Sequence, residues 1–132
     1  MNTNVDLHQL IEAVGDAVIV SDANEKIVLW NPAATRIFGY TEQEALGKTL
    51  DLIVPERQRQ RHSEGYMKSM ETGTTRYGTS LLKVPAKHKD GSTLSIAFTV
   101  GILFDGEQKA NGVVAIIRDE TARFAEERAL KK

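Results

Sequence analysis

The order of apolar patterns along the chain predicts an α+β fold, in which antiparallel strands are segregated from helices. Two runs rich in β-branched residues, AVIVSD and KIVLW, flank the turn-prone residues 22–25 and predict a β-hairpin. Nearer the C-terminus, apolar residues alternate on both sides of Asp90-Gly91, a strong hairpin signal, and a second turn leads into VVAII. Helices that cover one face of such a sheet leave a place for a ligand cavity between the two layers.

Length and periodicity divide the chain into a core and two helical extensions. With 132 residues, one domain is expected. Apolar residues at helical spacing in LHQLIEAV, followed by a glycine, predict an amphipathic N-terminal helix over residues 1–14. The core then extends over residues 15–119, and ARFAEERALKK predicts a C-terminal output helix within residues 120–132, with Asp119 as its cap.

Three helices are predicted between the first hairpin and the later strands. Asn31 can cap a helix with its side-chain oxygen, and Pro32 suits the first helical position. Thr41 and Glu44 have the spacing of a capping box, which predicts a second short helix. The segment PERQRQRHSEGYMKSME consists largely of good helix formers and predicts a longer helix over residues 55–71, despite its internal glycine.

Composition excludes several classes of function. The formal net charge of -1 is typical of an ordinary globular protein and indicates no nucleic-acid partner. The chain has no cysteine, which excludes disulfides, cysteine-ligated zinc and covalent flavin–thiol photochemistry. No run approaches the ~20 apolar residues of a membrane span, so we expect a cytoplasmic protein without membrane insertion. No G-x-S-x-G elbow, phosphate loop or H-E-x-x-H motif is present, and we expect no enzymatic activity.

Four motifs in this order resemble one family, the PAS sensory domains. They are W-N-P-A, F-G-Y-T, D-G-S and R-D-E-T, and the resemblance extends from about Leu10 to Thr121. It implies a PAS fold with a five-stranded antiparallel sheet in the order 2-1-5-4-3, flanked by helices. It also implies a domain that senses a small ligand, cofactor or partner and regulates an attached or partner effector. In that family the closing Asp-x-Thr, here Asp119 and Thr121, couples the last strand to the output helix.

His62 is the sharpest candidate for a ligand-binding residue. On the predicted long helix it shares a face with Tyr66, and a neutral imidazole can bind haem iron. The segment RHSEGY also resembles the oxygen-sensing haem PAS domains of bacterial kinases, which implies that His62 is the proximal haem ligand. The alternative is a structural or solvent-facing His62, and the helical angle favours it, because His62 lies at the edge of the apolar face.

The remaining candidates would line the ligand cavity. Aligned with the haem-binding subfamily from the Asp-Gly turn, Leu82 stands where an arginine holds bound oxygen, so a haem here would favour nitric oxide or carbon monoxide. The apolar stripe on the fourth strand lines the cavity or, alternatively, belongs to the core. The predicted cofactor-binding residues are His62, Tyr66, Met67, Leu82, Phe98, Val100 and Ile116.

Other basic residues have simpler interpretations. The stretch with Arg57, Arg59, Arg61 and Lys68 either contacts the carboxylates of a ligand such as haem or forms a solvated helix face. His8 and His88 have no partner at metal-ligand spacing and are expected at the surface.

Two functions from different classes therefore remain. One is a sensory module with a small ligand or haem in its core. The other is a cofactor-free interaction module, in which the N-terminal helix, the outer sheet face and the exit helix form a homodimer that positions effectors.

Overall fold

A five-stranded antiparallel sheet in the order β2-β1-β5-β4-β3 forms the centre of the computed structural model, which describes residues 4–130. The order confirms the one that the resemblance implied. The two central strands, β1 and β5, lie next to each other although they come from opposite ends of the chain. The strands are β1 Ala17–Asp22, β2 Ile27–Trp30, β3 Leu82–Lys87, β4 Thr93–Phe104 and β5 Ala110–Asp119.

The helices occupy the predicted positions with small shifts at their ends. Residues 1–3 of the predicted N-terminal helix and residues 131–132 of the predicted C-terminal helix lie outside the described residues. Residues 4–6 are not helical, because the side chain of Asp6 caps a helix that begins at Leu7. The predicted helix over residues 55–71 begins with a 3-10 turn at Glu56–Gln58, because Pro55 precedes that turn and Gln58 offers no side-chain cap. A 3-10 turn at Leu50–Leu52 was not expected. The α-helices are α1 Leu7–Ala13, α2 Pro32–Phe38, α3 Glu42–Ala45, α4 Arg59–Thr72 and α5 Thr121–Leu130.

Asn31 joins three elements through one buried side chain. Its Oδ1 accepts hydrogen bonds from the backbone N–H of Ala34, which caps α2, and from that of Val18 in β1. Its Nδ2 donates to the carbonyl oxygens of Ile11 in α1 and Asp16 before β1. The amide thus has four partners at 2.9–3.1 Å, which use both acceptor positions of its oxygen and both of its N–H groups. Such complete pairing is expected for a residue that is 1% exposed.

The two halves of the inner sheet face differ in how well the helices cover them. Near α2 and α3, large apolar side chains such as Trp30, Phe38 and Ile117 form the buried core. Towards the β4–β5 hairpin, α4 lies over β5 and the end of β1. The apolar side chains on this part of the inner face are half-buried, except Val84 of β3, which is exposed. We call this second region the inner patch; it consists of Leu82, Val84, Phe98, Val100, Ile102, Val113 and Ala115.

Candidate functional site

The face of α4 that is turned toward the protein carries His62, the candidate metal-coordinating residue. The less exposed residues recur at helical spacing, and they include Arg59, His62, Tyr66 and Met70. Arg59 Nε donates a 3.0 Å hydrogen bond to the carbonyl of Val54, which holds the start of the helix. His62 therefore faces inward rather than into open solvent, although 36% of its side chain is exposed.

His62 is paired with a carboxylate that the sequence did not single out. Its Nδ1 lies 3.1 Å from Oε2 of Glu25, in the turn between β1 and β2. Glu25 is 7% exposed and has a φ of 67°, a left-handed conformation that costs a residue with a Cβ about 1–2 kcal/mol. A strained backbone and a buried carboxylate at one position are typical of functional sites. The only signal in the sequence is a glutamate at a turn position that usually holds Gly or Asn.

This pairing determines which nitrogen of a neutral His62 carries the proton. A carboxylate can only accept, so the hydrogen bond to Glu25 places the proton on Nδ1. The lone pair then lies on Nε2. Metal-binding histidines typically donate their other ring N–H to a carboxylate or carbonyl in this way. Nε2 is then the ring nitrogen that could coordinate a metal.

Tyr66 is fixed to the sheet by its hydroxyl group. The hydroxyl lies 2.8 Å from Ser21 Oγ and 2.5 Å from the carbonyl oxygen of Asp22, both at the end of β1. Burial raises the pKa of Tyr66 to about 12, and the nearby carboxylates of Asp22 and Glu25 act in the same direction, against the hydrogen bond with Ser21. Tyr66 therefore remains a neutral donor near neutral pH. Its ring lies beside the His62 ring, with the centroids 6.3 Å apart.

The structure brings only some of the predicted cavity residues together. Leu82, Phe98 and Val100 lie in the inner patch, as the alternation along their strands requires. The position of Ile116 has to be corrected, because it pairs with Val18 and Thr99 on the outer face and is 39% exposed. Its neighbour Ile117 takes the inner position and is buried.

Met67 also departs from the predicted cavity. It is 49% exposed and lies one helical step beyond Tyr66, so it points away from the inner patch. There it borders a shallow surface groove with Met70, Ala23 and Lys109.

Some of the other basic candidates make structural contacts, and the rest are exposed at the surface. Arg57, Arg61 and Lys68 are exposed, whereas Arg59 is bound to Val54 as described above. His8 is exposed on α1. His88 is half-buried, with its Nδ1 3.1 Å from Asp90 Oδ1 and its ring against the backbone of Gly39. Within residues 4–130, no three histidine, cysteine or acidic side chains are grouped as a metal site.

The corner between β5 and α5 is closed by a set of hydrogen bonds. Asp119 Oδ1 accepts from the backbone N–H and the hydroxyl of Thr121, the first residue of α5. This bond spans two residues and forms an Asx turn into the helix, whereas the predicted cap would accept from an N–H group further into the first turn. Thr121 Oγ1 in turn accepts from the backbone N–H of Ser95 in β4, at 3.0 Å. The backbone N–H of Glu120 donates to the Ser95 carbonyl. The first residues of the exit helix are thereby tied to the sheet.

A 2-1-5-4-3 sheet with helices on one face and an Asp-x-Thr corner before an exit helix defines a class of sensory domains. The chain belongs to the PAS family, since the model of the PAS fold matches residues 6–119. In the part that the structure describes, no separate catalytic domain accompanies the PAS fold. None of the helices between residues 4 and 130 has both the length and the apolar character of a membrane span.

Similar proteins include bacterial sensors. "Sensor protein FixL" of Bradyrhizobium diazoefficiens is 31% identical over 101 residues, which are 76% of this chain and 20% of that protein. "Oxygen sensor protein DosP" of Escherichia coli is 27% identical over 113 residues, which are 83% of this chain and 13% of that protein. The chain spans a fifth or less of these relatives. A solved PAS domain from Colwellia psychrerythraea superposes with a TM-score of 0.76 at 21% identity, covering 88% of this chain and 95% of that one.

Proposed function

We propose that this PAS domain senses a gas or redox signal through a haem group bound by His62. The observation that carries the proposal is the hydrogen bond between His62 Nδ1 and the buried carboxylate of Glu25, which leaves Nε2 as a ligand. The similarity to FixL and to DosP, whose name describes an oxygen sensor, supports it.

The residues around His62 suit a large, flat, mostly apolar cofactor. The inner patch offers half-buried apolar side chains such as Val100 and Ile102, and the exposed cations Arg57 and Arg61 are available for the carboxylates of haem. When bound, haem supplies an iron centre that takes diatomic gases. His62 would hold the group through its imidazole, Glu25 would orient that imidazole, and the inner patch would surround the group with apolar side chains.

The chemistry of the inner patch favours nitric oxide or carbon monoxide over oxygen. All seven of its side chains are apolar, and Leu82 is among them. They would offer oxygen no N–H or O–H group as a hydrogen-bond donor. Nitric oxide and carbon monoxide depend least on such a donor, so we propose these gases as the ligands.

Loss of the imidazole tests the haem proposal. Protein supplied with haem and then desalted should show a Soret band, and His62→Ala should lose it because no imidazole would retain the haem. His8→Ala and His88→Ala are matched controls that should keep the spectrum. Absorption spectroscopy of all four proteins decides the matter. A chain that takes up no haem, or a His62→Ala variant with an unchanged spectrum, would refute the proposal.

Replacement of Glu25 separates its role toward His62 from any role in folding. Glu25→Gly removes the carboxylate, while glycine adopts the left-handed conformation without strain. The free energy of unfolding should therefore change by no more than about 1 kcal/mol. Haem affinity should fall about 10- to 100-fold, as is typical when the hydrogen-bond partner of a metal ligand is removed.

Urea denaturation and haem titration measure these two effects. If Glu25→Gly lowers stability by several kcal/mol and leaves haem affinity unchanged, the carboxylate is purely structural.

We further propose that the corner of Asp119 and Thr121 passes the signal to an effector. Thr121→Val keeps the shape of the side chain but removes the oxygen that accepts from Ser95. In a fusion to a reporter kinase, this change should leave folding intact and make kinase activity independent of the ligand. Thr121→Ser retains the hydroxyl and serves as the control. Equal ligand responses in both variants would exclude the proposed output role.

A cofactor-free dimerisation module is the second candidate, and one observation favours it. Neither α1 nor α5 has a buried residue, and both expose large apolar side chains, among them Leu7 at 67% and Phe124 at 48%. Helices this short are marginal without packing, so a second copy could cover them.

Light scattering at micromolar concentrations tests this candidate. It should show dimers that Leu10→Glu or Phe124→Glu dissociates, whereas Met67→Glu, on an equally exposed side chain of α4, should have no effect. Monomers at every concentration would rule the dimer out.

A further inference from the structure

We propose that α4 is a hinged cover over the inner patch, that the hydroxyl of Tyr66 latches it closed, and that it opens as a unit while the sheet stays folded. The inference concerns the helix itself and holds whether or not haem binds to His62. It begins from how little apolar packing the helix has. Tyr66 is the one described residue of α4 that is buried, and the buried core cluster contains no residue of this helix.

The intrinsic helical stability of α4 is low. Its first turn has no side-chain cap, and Gly65 in its interior makes the helix less stable than alanine would. With 14 residues it has the length at which an isolated helix is marginal in water. Its folded position must therefore depend on contacts with the rest of the domain.

Those contacts are mainly three hydrogen bonds from one side of the helix. Arg59 binds the Val54 carbonyl, His62 binds Glu25, and Tyr66 binds the end of β1. The first two involve partly exposed side chains and are weakened by competition with water. Only the Tyr66 hydroxyl is buried. Its loss would leave the Ser21 hydroxyl without this partner and the Asp22 carbonyl with only the Glu25 N–H as a donor, which destabilises the closed position of the helix.

The ends of α4 provide the hinge. At the N-terminal end, Arg59 binds the carbonyl of Val54, which lies five residues earlier in the chain. Because this bond is local, it does not oppose a rotation of the helix about that end. At the C-terminal end, Gly73 has a φ of 73°, and a Cβ there would lie 3.4 Å from the ring of Phe104. The helix can therefore lift from the sheet by turning about its N-terminal end, while the backbone of Gly73 accommodates the change at the other end.

The residues that bind the Tyr66 hydroxyl also connect α4 to β5, the strand that leads to the exit helix. Ser21 lies where the pairing of β1 with β2 shifts register. On the other side, Ser21 and Asp22 pair with Val113 and Gly112 of β5. The strands approach so closely there that a Cβ on Gly112 would lie 2.6 Å from the Ser21 carbonyl oxygen. Movement of Tyr66 thus acts on β5, which ends at the Asp119 corner.

Amide hydrogen exchange under native conditions tests the cover. In the unmodified chain, amides of α4 should exchange at least about tenfold faster than those of β4 and β5, and their rates should depend less on added denaturant. Tyr66→Phe should accelerate exchange in α4 by about a further tenfold, with little change in the sheet. Tyr77→Phe is the matched control, because its exposed hydroxyl contacts only its neighbour Arg76 in the part of the chain that is described.

Three outcomes would overturn the proposal. Exchange of α4 that follows β4 and β5 at all denaturant concentrations would show that the helix does not open separately. Equal acceleration of helix and sheet in Tyr66→Phe would make Tyr66 a support of the whole fold. No acceleration would mean that the hydroxyl is not the latch. If Tyr66→Phe does not fold, Ser21→Ala removes one partner and should accelerate α4 by a smaller factor, because the Asp22 carbonyl remains.

Discussion

The side-chain amide of Asn31 is the interaction on which the rest of this domain depends. It caps α2 and binds the first strand, and all its hydrogen-bonding capacity is used within the protein. Through Ile11 and Asp16 it also fixes where α1 ends and β1 begins. Since β1 pairs with β5 along the whole length of β1, this amide also helps to position the central pair of strands relative to α1 and α2.

Local features of this fold were predictable because they depend on neighbouring residues. The caps at Asn31 and Thr41 follow from side chains that bind backbone groups three residues on, and the capping box is present as expected. The hairpins follow from turn residues between alternating runs. The strand order does not follow from such signals, since it places β1 beside β5, and only the family resemblance supplied it.

The site was less predictable because its contacts join residues that are far apart in sequence. His62 and Tyr66 were recognised as sharing a helix face, but their partners Glu25 and Ser21 lie 37 and 45 residues away. Ile116 illustrates a different limit. A shift of one residue along a strand moves a side chain to the opposite face, and two adjacent isoleucines in a continuous apolar run give no alternation from which to choose.

The way each helix is held explains why the two halves of the inner face differ. The helix α2 is fixed by apolar packing of Phe38 against Trp30, with ring centroids 5.8 Å apart, and its polar ends are capped. The helix α4 has few such contacts and is held by hydrogen bonds to β1 and to the following turn. Apolar burial is non-directional and is lost gradually as two surfaces separate, whereas a buried hydrogen bond is lost within a fraction of an ångström. The core lies under α2, whereas the candidate metal-coordinating residue His62 lies on α4. The packing under α4 can therefore change while the core under α2 stays folded.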